Sequence, residues 1–348
     1  MTLVVRDERD IVEQHLSFHR AAGVDAVIVT DHASTDGTED VLARHEQDGF
    51  VRVLREPDGR FRQREWVTRM ARLAATEHEA DWVINSDADE FWWPRGASLR
   101  EVLGAVPARY GIVQSLVRHF VPLADDGRPF EERMTFRLRP TAPINDPASP
   151  WRPYRKVVHR ASPVIELVEG GHAVRSQNLP PLRGWYPIEC LHFPLRSQGQ
   201  VERKGRAWGA AVEKFYATSE VARSAGTAYH AIQHAAAVGG ESEAYLGSLT
   251  LDGAAVASGV TAGLLEEDVR VRDALRELAA RGTLEFPRPT TVETASFAIE
   301  AAVLGEADVI RTQRWLDELE RRIGRLERTT SVRIERRLRA LARRAFGR

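Results

Sequence analysis

The chain has 348 residues, 43% of them hydrophobic and 28% charged, and a formal net charge of -1. That is enough sequence for one large domain, or one domain with an extension, and the near-zero charge gives no reason to expect nucleic acid as the main partner. A single cysteine, Cys190, excludes an internal disulfide and makes a cytoplasmic setting the natural expectation. Within the apolar run from Pro187 to Phe193, Cys190 reads as a packed small residue rather than a nucleophile. Met1 to Val5 is too short an apolar run for a leader before Arg6, and no run of about 18 apolar residues occurs to span a membrane.

In chain order, Leu3-Val4-Val5 is a buried-strand run, and Glu8 to Ala22 has helical spacing (Ile11, Val12, Leu16, Phe18) stopped by Gly23. Ala26 to Val29 is the next strand, Thr38 to Asp48 a helix ended by Gly49, and Val51 to Leu54 a third strand. A long amphipathic helix is expected from about Arg62 to Glu79, with Trp66, Met70, Leu73 and Ala74 inward, then a fourth strand at Trp82-Val83-Ile84. Ser98-Leu99-Arg100-Glu101 is a capping box opening a helix to Val106, and Ile112 to Val121 is another strand. Helical periodicity fades from Pro122 to Pro194, leaving strand-like pieces at Lys156 to His159, Val164 to Val168 and Ile188 to Phe193. Beyond Ser197 the pattern is mainly helical. Strands alternating with helices predict a parallel α/β sheet covered on both faces.

Ligands of such sheets bind at the carboxyl ends of the strands. Three polar clusters follow strands directly: Arg6-Asp7-Glu8, Asp31 to Asp36, and Asp87-Ala88-Asp89-Glu90. They are therefore expected along one sheet edge. Carboxylates at i and i+2 leaving a buried strand suit Mg2+ or Mn2+; a solvated acidic turn gives the same spacing. Asp31-His32-Ala33-Ser34-Thr35-Asp36-Gly37-Thr38 fits a base- and ribose-binding loop, and equally a plain turn with Asp36 or Thr38 capping the next helix.

These three clusters, the last continuing into Phe91, resemble the successive motifs of family 2 glycosyltransferases. The likeness is to the bacterial branch with Arg-Asn-Glu after its first strand and an Asp-x-Asp-Glu-Phe metal motif. It covers about residues 1 to 120 and thins over 150 to 210. The resemblance implies a GT-A fold, Rossmann-like with a mainly parallel central sheet, a nucleotide-diphosphate sugar donor, a divalent metal (Mn2+ or Mg2+) and inversion at the anomeric carbon. It places Arg6 and Glu8 beside the nucleotide, Asp31 and Asp36 on ribose and base, Asp87 near ribose and metal, and Asp89 on the metal. Asp7 departs from the branch, which commonly has Asn there.

Departure of a nucleoside diphosphate builds negative charge that a metal and cationic side chains stabilise, and the acceptor hydroxyl needs a general base. Glu166, Glu169 and Glu189 are the candidate bases. Glu169 is chosen because Gly170 and Gly171 let backbone approach a ligand closely; a surface carboxylate is the plain alternative for each. His192 is the candidate third metal ligand, with His172 its rival, although a lone histidine is more often structural. Lys156, Arg196 and Lys204 are candidate diphosphate partners. Trp92-Trp93 fit a sugar-stacking face or simple packing.

The expected layout is a catalytic domain over 1–210, with a nucleotide-binding half (1–120) and an acceptor half (121–210), a helical region over 211–305, and an amphipathic basic helix or coiled coil over 306–348. In the last, Ile310, Leu316, Leu319, Ile323 and Leu326 form an apolar stripe. The arginine-rich end suits self-association or peripheral contact with the inner face of a membrane. The acceptor, whether glycan, lipid-linked or small molecule, is not encoded in any motif. Two rival functions share these features: a nucleotidyltransferase of related fold, which would need a glycine-rich loop after the first strand, and a catalytically silent scaffold, which would not need both Asp87 and Asp89.

Overall fold

The computed structural model describes residues 1–57, 62–139, 155–175, 179–182, 185–206 and 238–327. The first four strands are β1 (Thr2–Val5), β2 (Val27–Asp31), β3 (Val51–Arg55) and β4 (Trp82–Asp87), connected by helices α1 (Val12–Ala21), α2 (Thr38–Gln47) and α3 (Gln63–Thr76). β5 (Glu90–Pro94) follows β4 after two residues, α4 (Leu99–Gly104) leads to β6 (Ile112–His119), and α5 (Phe130–Arg133) leads to β7 (Phe136–Leu138). Then come β8 (Arg155–Arg160), the short pieces β9 (Glu166–Leu167), β10 (Val174–Arg175) and β11 (Pro181–Leu182), and β12 (Ile188–His192). β13 (Leu265–Glu267) pairs antiparallel with β7.

The central sheet runs β3-β2-β1-β4-β8-β6-β12-β5, with β11 beside β6. β1, β2, β3 and β4 are parallel neighbours, β8 is antiparallel to both β4 and β6, and β12 is parallel to β6. Hence β1, β2, β4, β6 and β12 all point their carboxyl ends to one edge, while β8 brings its amino end there. β5 leaves β4 through only Ala88 and Asp89, yet pairs with β12, three places from β4 in the order. The sheet must therefore curl so that its far strands return beside β4. This is a mixed α/β, mainly parallel sheet flanked by helices, as a GT-A fold has.

Packing follows the apolar spacing of the sequence. Ile11, Val12, Leu16 and Phe18 turn one face of α1 into the core, and Trp66, Met70, Ala71 and Ala74 do the same for α3. Burying each large side chain contributes about 1.5–3 kcal/mol. Trp92 and Trp93 are buried, Trp93 against Phe18 and Phe286, so packing rather than a sugar-facing surface is their role. α4 begins as the capping box predicts, with the Glu101 amide donating to Ser98 Oγ at 3.1 Å.

α1 starts at Val12 instead of Glu8. The intervening loop is tied to the second polar cluster: the amides of Asp7, Glu8 and Arg9 donate to Ser34 Oγ, Thr38 Oγ1 and Asp36 Oδ2 at 3.0–3.1 Å. Asp7 sits at φ 55°, an uncommon left-handed backbone, and returns the link by accepting from the Thr35 amide at 2.7 Å. A carboxylate where the branch has Asn thus acts as a loop tie.

Residues Met1–Phe297 form one compact unit and Ala298–Arg348 a second. The expected boundary at 210 lies in 207–237, outside the described residues. Part of the expected helical region belongs to the first unit's own core. Phe286 packs on Trp93, helix Arg270–Arg281 lies against α1, and Arg270 donates to Glu189 at 2.8 Å. Glu189 is enclosed by Arg118, Arg270 and Arg95, which outweigh its burial and hold it well below the usual carboxylate range. A helix, Thr291–Glu327, carries the apolar stripe, with Leu316, Ile323 and Leu326 exposed. The arginine-rich end beyond it lies outside the described residues, and no described helix is long and apolar enough to cross a membrane.

His15, His19 and His159 are fully buried, and burial pushes their pKa values down, to about 3 for His15, about 4 for His159 and well below 6.5 for His19. His19 is neutral by geometry as well: Nδ1–H donates to the His15 carbonyl at 2.8 Å while Nε2 accepts the Trp92 amide at 3.1 Å. Below pH 6.5 the unfolded chain takes up protons that these folded sites refuse, so stability falls with falling pH. The slope approaches about 1.4 kcal/mol per pH unit for each histidine. Urea midpoints should drop steeply from pH 6.5 to 5, with a shallower drop in His159→Gln. A flat profile across that range would contradict neutral burial.

Candidate active site

The parallel register sets the polar clusters side by side: Val5 is level with Asp31, and Val4 with Asp87. At the first two strand ends, Arg6 Nη1 lies 3.4 Å from His32 Nδ1, and His32 packs on Trp66 with ring centroids 4.8 Å apart. Asp31 Oδ1 accepts from Ser34 Oγ at 2.5 Å. Burial raises the Asp31 pKa against those Ser34 hydrogen bonds. Asp36 uses both oxygens inside the protein, Oδ2 on the Arg9 amide and Oδ1 on the amide and hydroxyl of Thr38 at 3.0 and 2.6 Å. Asp31 is thus the carboxylate of this loop better disposed toward a ligand, while Asp36 shapes the loop.

The acidic turn after β4 sits among cations. Lys156, at the amino end of β8, places Nζ 2.6 Å from both Asp87 Oδ2 and Glu90 Oε1. Gln63, at the start of α3, donates to Asp87 Oδ1 at 3.3 Å. Asp89 is buried. Its Oδ2 receives Lys204 Nζ at 2.7 Å, with Arg196 Nη1 at 3.8 Å, and its Oδ1 faces His192 Nε2 at 3.6 Å. Burial opposes ionisation of Asp89, but Lys204, and Arg196 with it, prevail and hold it well below the carboxylate range. Burial raises Glu90 to about 7 despite Lys156.

Arg196 ties the first cluster to this centre. Its guanidinium donates to Glu8 Oε2 at 2.5 Å, to Asp10 Oδ2 at 2.7 Å and to the Phe193 carbonyl at 3.2 Å. Burial alone would lower its pKa, but Glu8, Asp10 and Asp89 raise it further. The five carboxylates Glu8, Asp10, Asp87, Asp89 and Glu90 face three cations, Lys156, Arg196 and Lys204. With all five ionised the centre carries two surplus negative charges, which one divalent cation would balance; with Glu90 protonated it carries one.

Asp89 Oδ1 and His192 Nε2 suit such an ion. Two ligands at about 2.1 Å from one divalent cation lie roughly 3–3.6 Å apart, and the observed separation is 3.6 Å. His119, level with His192 across β6 and β12, places its Nδ1 3.0 Å from His192 Nδ1. With the proton of that hydrogen bond on His192, its Nε2 presents a lone pair toward Asp89, the orientation a partner of a ligating histidine imposes. Asp87 is engaged by Lys156 and Gln63, and among the described residues no three His, Cys, Asp or Glu side chains gather into a ready-made cage. The residues present fit a cation held by a protein pair and completed by other ligands.

His119, Gln63 and Asp10 were not singled out by sequence. His119 had a legible signal, a polar pair (Arg118-His119) closing an apolar strand on the ligand edge. Gln63 and Asp10 carried none. His172 Nδ1 lies 3.1 Å from the Arg155 carbonyl. The turn Glu169–Gly171 passes close to β4, where a Cβ on Gly171 would meet the Asn85 carbonyl at 3.4 Å and φ is +68°. The Glu169 side chain lies outside the described residues. Of the other candidate bases, Glu166 is paired with Arg64 and Glu189 is enclosed by arginines.

Residues 9–155 match the family described as Glycosyl transferase family 2. Over this segment the chain is similar to family 2 glycosyltransferases. The match begins at Arg9, just after the Arg6-Asp7-Glu8 cluster, spans the Asp31–Asp36 loop, the Asp87–Glu90 turn and β6, and stops at the amino end of β8. His192, Arg196 and Lys204 of the acidic centre lie beyond it. No curated protein matches the chain. Among solved structures, S. aureus TarS residues 1–349 in complex with UDP is 10% identical, over 81% of this chain and 91% of that one, at a TM-score of 0.31. The same TarS segment with UDP-GlcNAc is 9% identical over the same shares, also at 0.31. A mycobacterial protein is 23% identical over 37% of this chain and 42% of that one, at 0.24. At these TM-scores the likeness is weak.

Proposed function

We propose that the chain transfers a sugar from a nucleotide-diphosphate donor to an acceptor hydroxyl, in a metal-dependent reaction that inverts the anomeric carbon. The observation that carries the reading is the buried Asp89 carboxylate, one oxygen on Lys204 and the other facing His192 at 3.6 Å, in a chain similar to family 2 glycosyltransferases over residues 9–155. Arg6, Glu8 and Asp31 would border the nucleoside, with Asp36 holding their loop. Asp89 and His192 would hold Mn2+ or Mg2+, with Asp87 beside it and the ribose. That cation, when bound, neutralises the diphosphate as it leaves.

The chain's own groups then have definite tasks. Lys156 and Gln63 fix Asp87, and His119 fixes the ring of His192. The acceptor hydroxyl gives its proton to a carboxylate on the opposite face of the sugar, for which Glu169 is the candidate. The hydroxyl oxygen bonds to the anomeric carbon, and the breaking C–O pair goes to the diphosphate. Release of nucleoside diphosphate should be followed across a panel of UDP-, GDP- and dTDP-sugars with hydroxyl acceptors and Mn2+. Turnover of one donor class is the expected result. Pyrophosphate release from a nucleoside triphosphate instead would make this a nucleotidyltransferase, and no turnover or binding of any nucleotide would leave a scaffold.

A further inference from the structure

Three cations serve the acidic centre, and their settings differ. Lys156 is enclosed, its side chain 3% exposed between Asp87 and Glu90. Arg196 is 1% exposed and spends its guanidinium on Glu8, Asp10 and the Phe193 carbonyl. Lys204 is 18% exposed, on the helical stretch 198–206, and bridges Asp89 Oδ2 at 2.7 Å and Glu8 Oε1 at 3.8 Å. An ammonium has three donors. Of the three cations Lys204 reaches furthest toward solvent while staying anchored to the carboxylate that faces His192.

The two oxygens of Asp89 divide the work. Oδ2 belongs to Lys204, and Oδ1 faces His192 Nε2. A fixed positive charge on one oxygen weakens the pull of the same carboxylate on a second cation, and supplies the diphosphate with a positive partner that needs no metal. Glu8 follows β1 and Asp89 follows the neighbouring β4, so an ammonium between them also ties the loop after β1 to the acidic turn.

We infer that Lys204 is a resident cation of the donor site: it takes a diphosphate oxygen directly, and in the empty site it restrains divalent-cation binding at Asp89. The inference rests on the nucleotide-sugar reading, and goes beyond it by dividing the charge between a fixed and an exchangeable cation. It gives two effects of opposite sign for Lys204→Met. Without nucleotide, removing the ammonium should tighten Mn2+ binding severalfold, because an adjacent positive charge is gone. In EDTA, affinity for nucleoside diphosphate should fall about tenfold or more, because a charge-assisted hydrogen bond is lost. Lys204→Arg should lie near the wild type on both.

Calorimetry gives the nucleotide affinities, and electron paramagnetic resonance of free Mn2+ gives the metal affinity, both on the full chain. Losses on both measurements would mean a merely structural lysine, and unchanged values on either would overturn the inference while leaving the nucleotide-sugar reading in place. Wild-type protein that binds no nucleoside diphosphate, with or without Mn2+, would overturn both together.

Discussion

Asp89→Asn is expected to lower turnover by about 10²-fold or more, as removal of a comparable electrostatic group at a developing charge does. The substitution keeps shape and burial but removes a charge from the centre's surplus, and it replaces one carboxylate oxygen with an amide that cannot bind a cation. Lys204 and Arg196 also lose a counter-ion, so some stability should go with it. A structural defect is separated from a chemical one by the melting transition and by wild-type-like packing in near-UV circular dichroism. Full activity in Asp89→Asn would remove this carboxylate from the chemistry.

Arg196→Met should cost the fold about 3–5 kcal/mol, the usual result of removing one member of a buried ion cluster and leaving the others uncompensated. Glu8, Asp10 and Asp89 would all lose their guanidinium partner. Arg196 joins the loop after β1 to the segment after β12, 188 residues apart from Glu8 in sequence, so the loss should loosen both halves of the site. Arg196→Lys keeps the charge but loses the forked geometry, and should recover only part of the difference. Urea unfolding at pH 7.5 measures this, and an unchanged midpoint for Arg196→Met would show that the cluster adds nothing to stability.

The first four strands were legible because each βα unit carries its own signal. Short runs of three or four residues, stops at Gly23 and Gly49, and polar clusters at strand ends placed β1 to β4 and their common edge without long-range information. What local pattern missed was pairing decided by distant partners. Local pattern does not mark β5 as a strand, because its strand partner, β12, comes about a hundred residues later. The helical region was expected to stand apart because nothing local tells that Phe286 inserts beside Trp93 or that Arg270 reaches Glu189. Likewise Asp36 and Glu189 read equally well as ligand-facing acids. Only their partners, a loop amide for one and three arginines for the other, assign them to structure. Lys156 and Arg196, picked from many basic residues, do sit on the acidic centre because β8 and β12 both bring ends to the ligand edge.

The most direct measurement is calorimetric titration of the full chain with nucleoside diphosphates, in Mn2+ and again in EDTA. One-to-one binding of one diphosphate, about tenfold or more tighter with Mn2+ and reduced toward the EDTA value in Asp89→Asn, is the outcome expected of a donor site whose cation sits between Asp89 and His192. Equal affinity in Mn2+ and EDTA, or no binding of any nucleoside diphosphate, would contradict a metal-assisted nucleotide-sugar transferase.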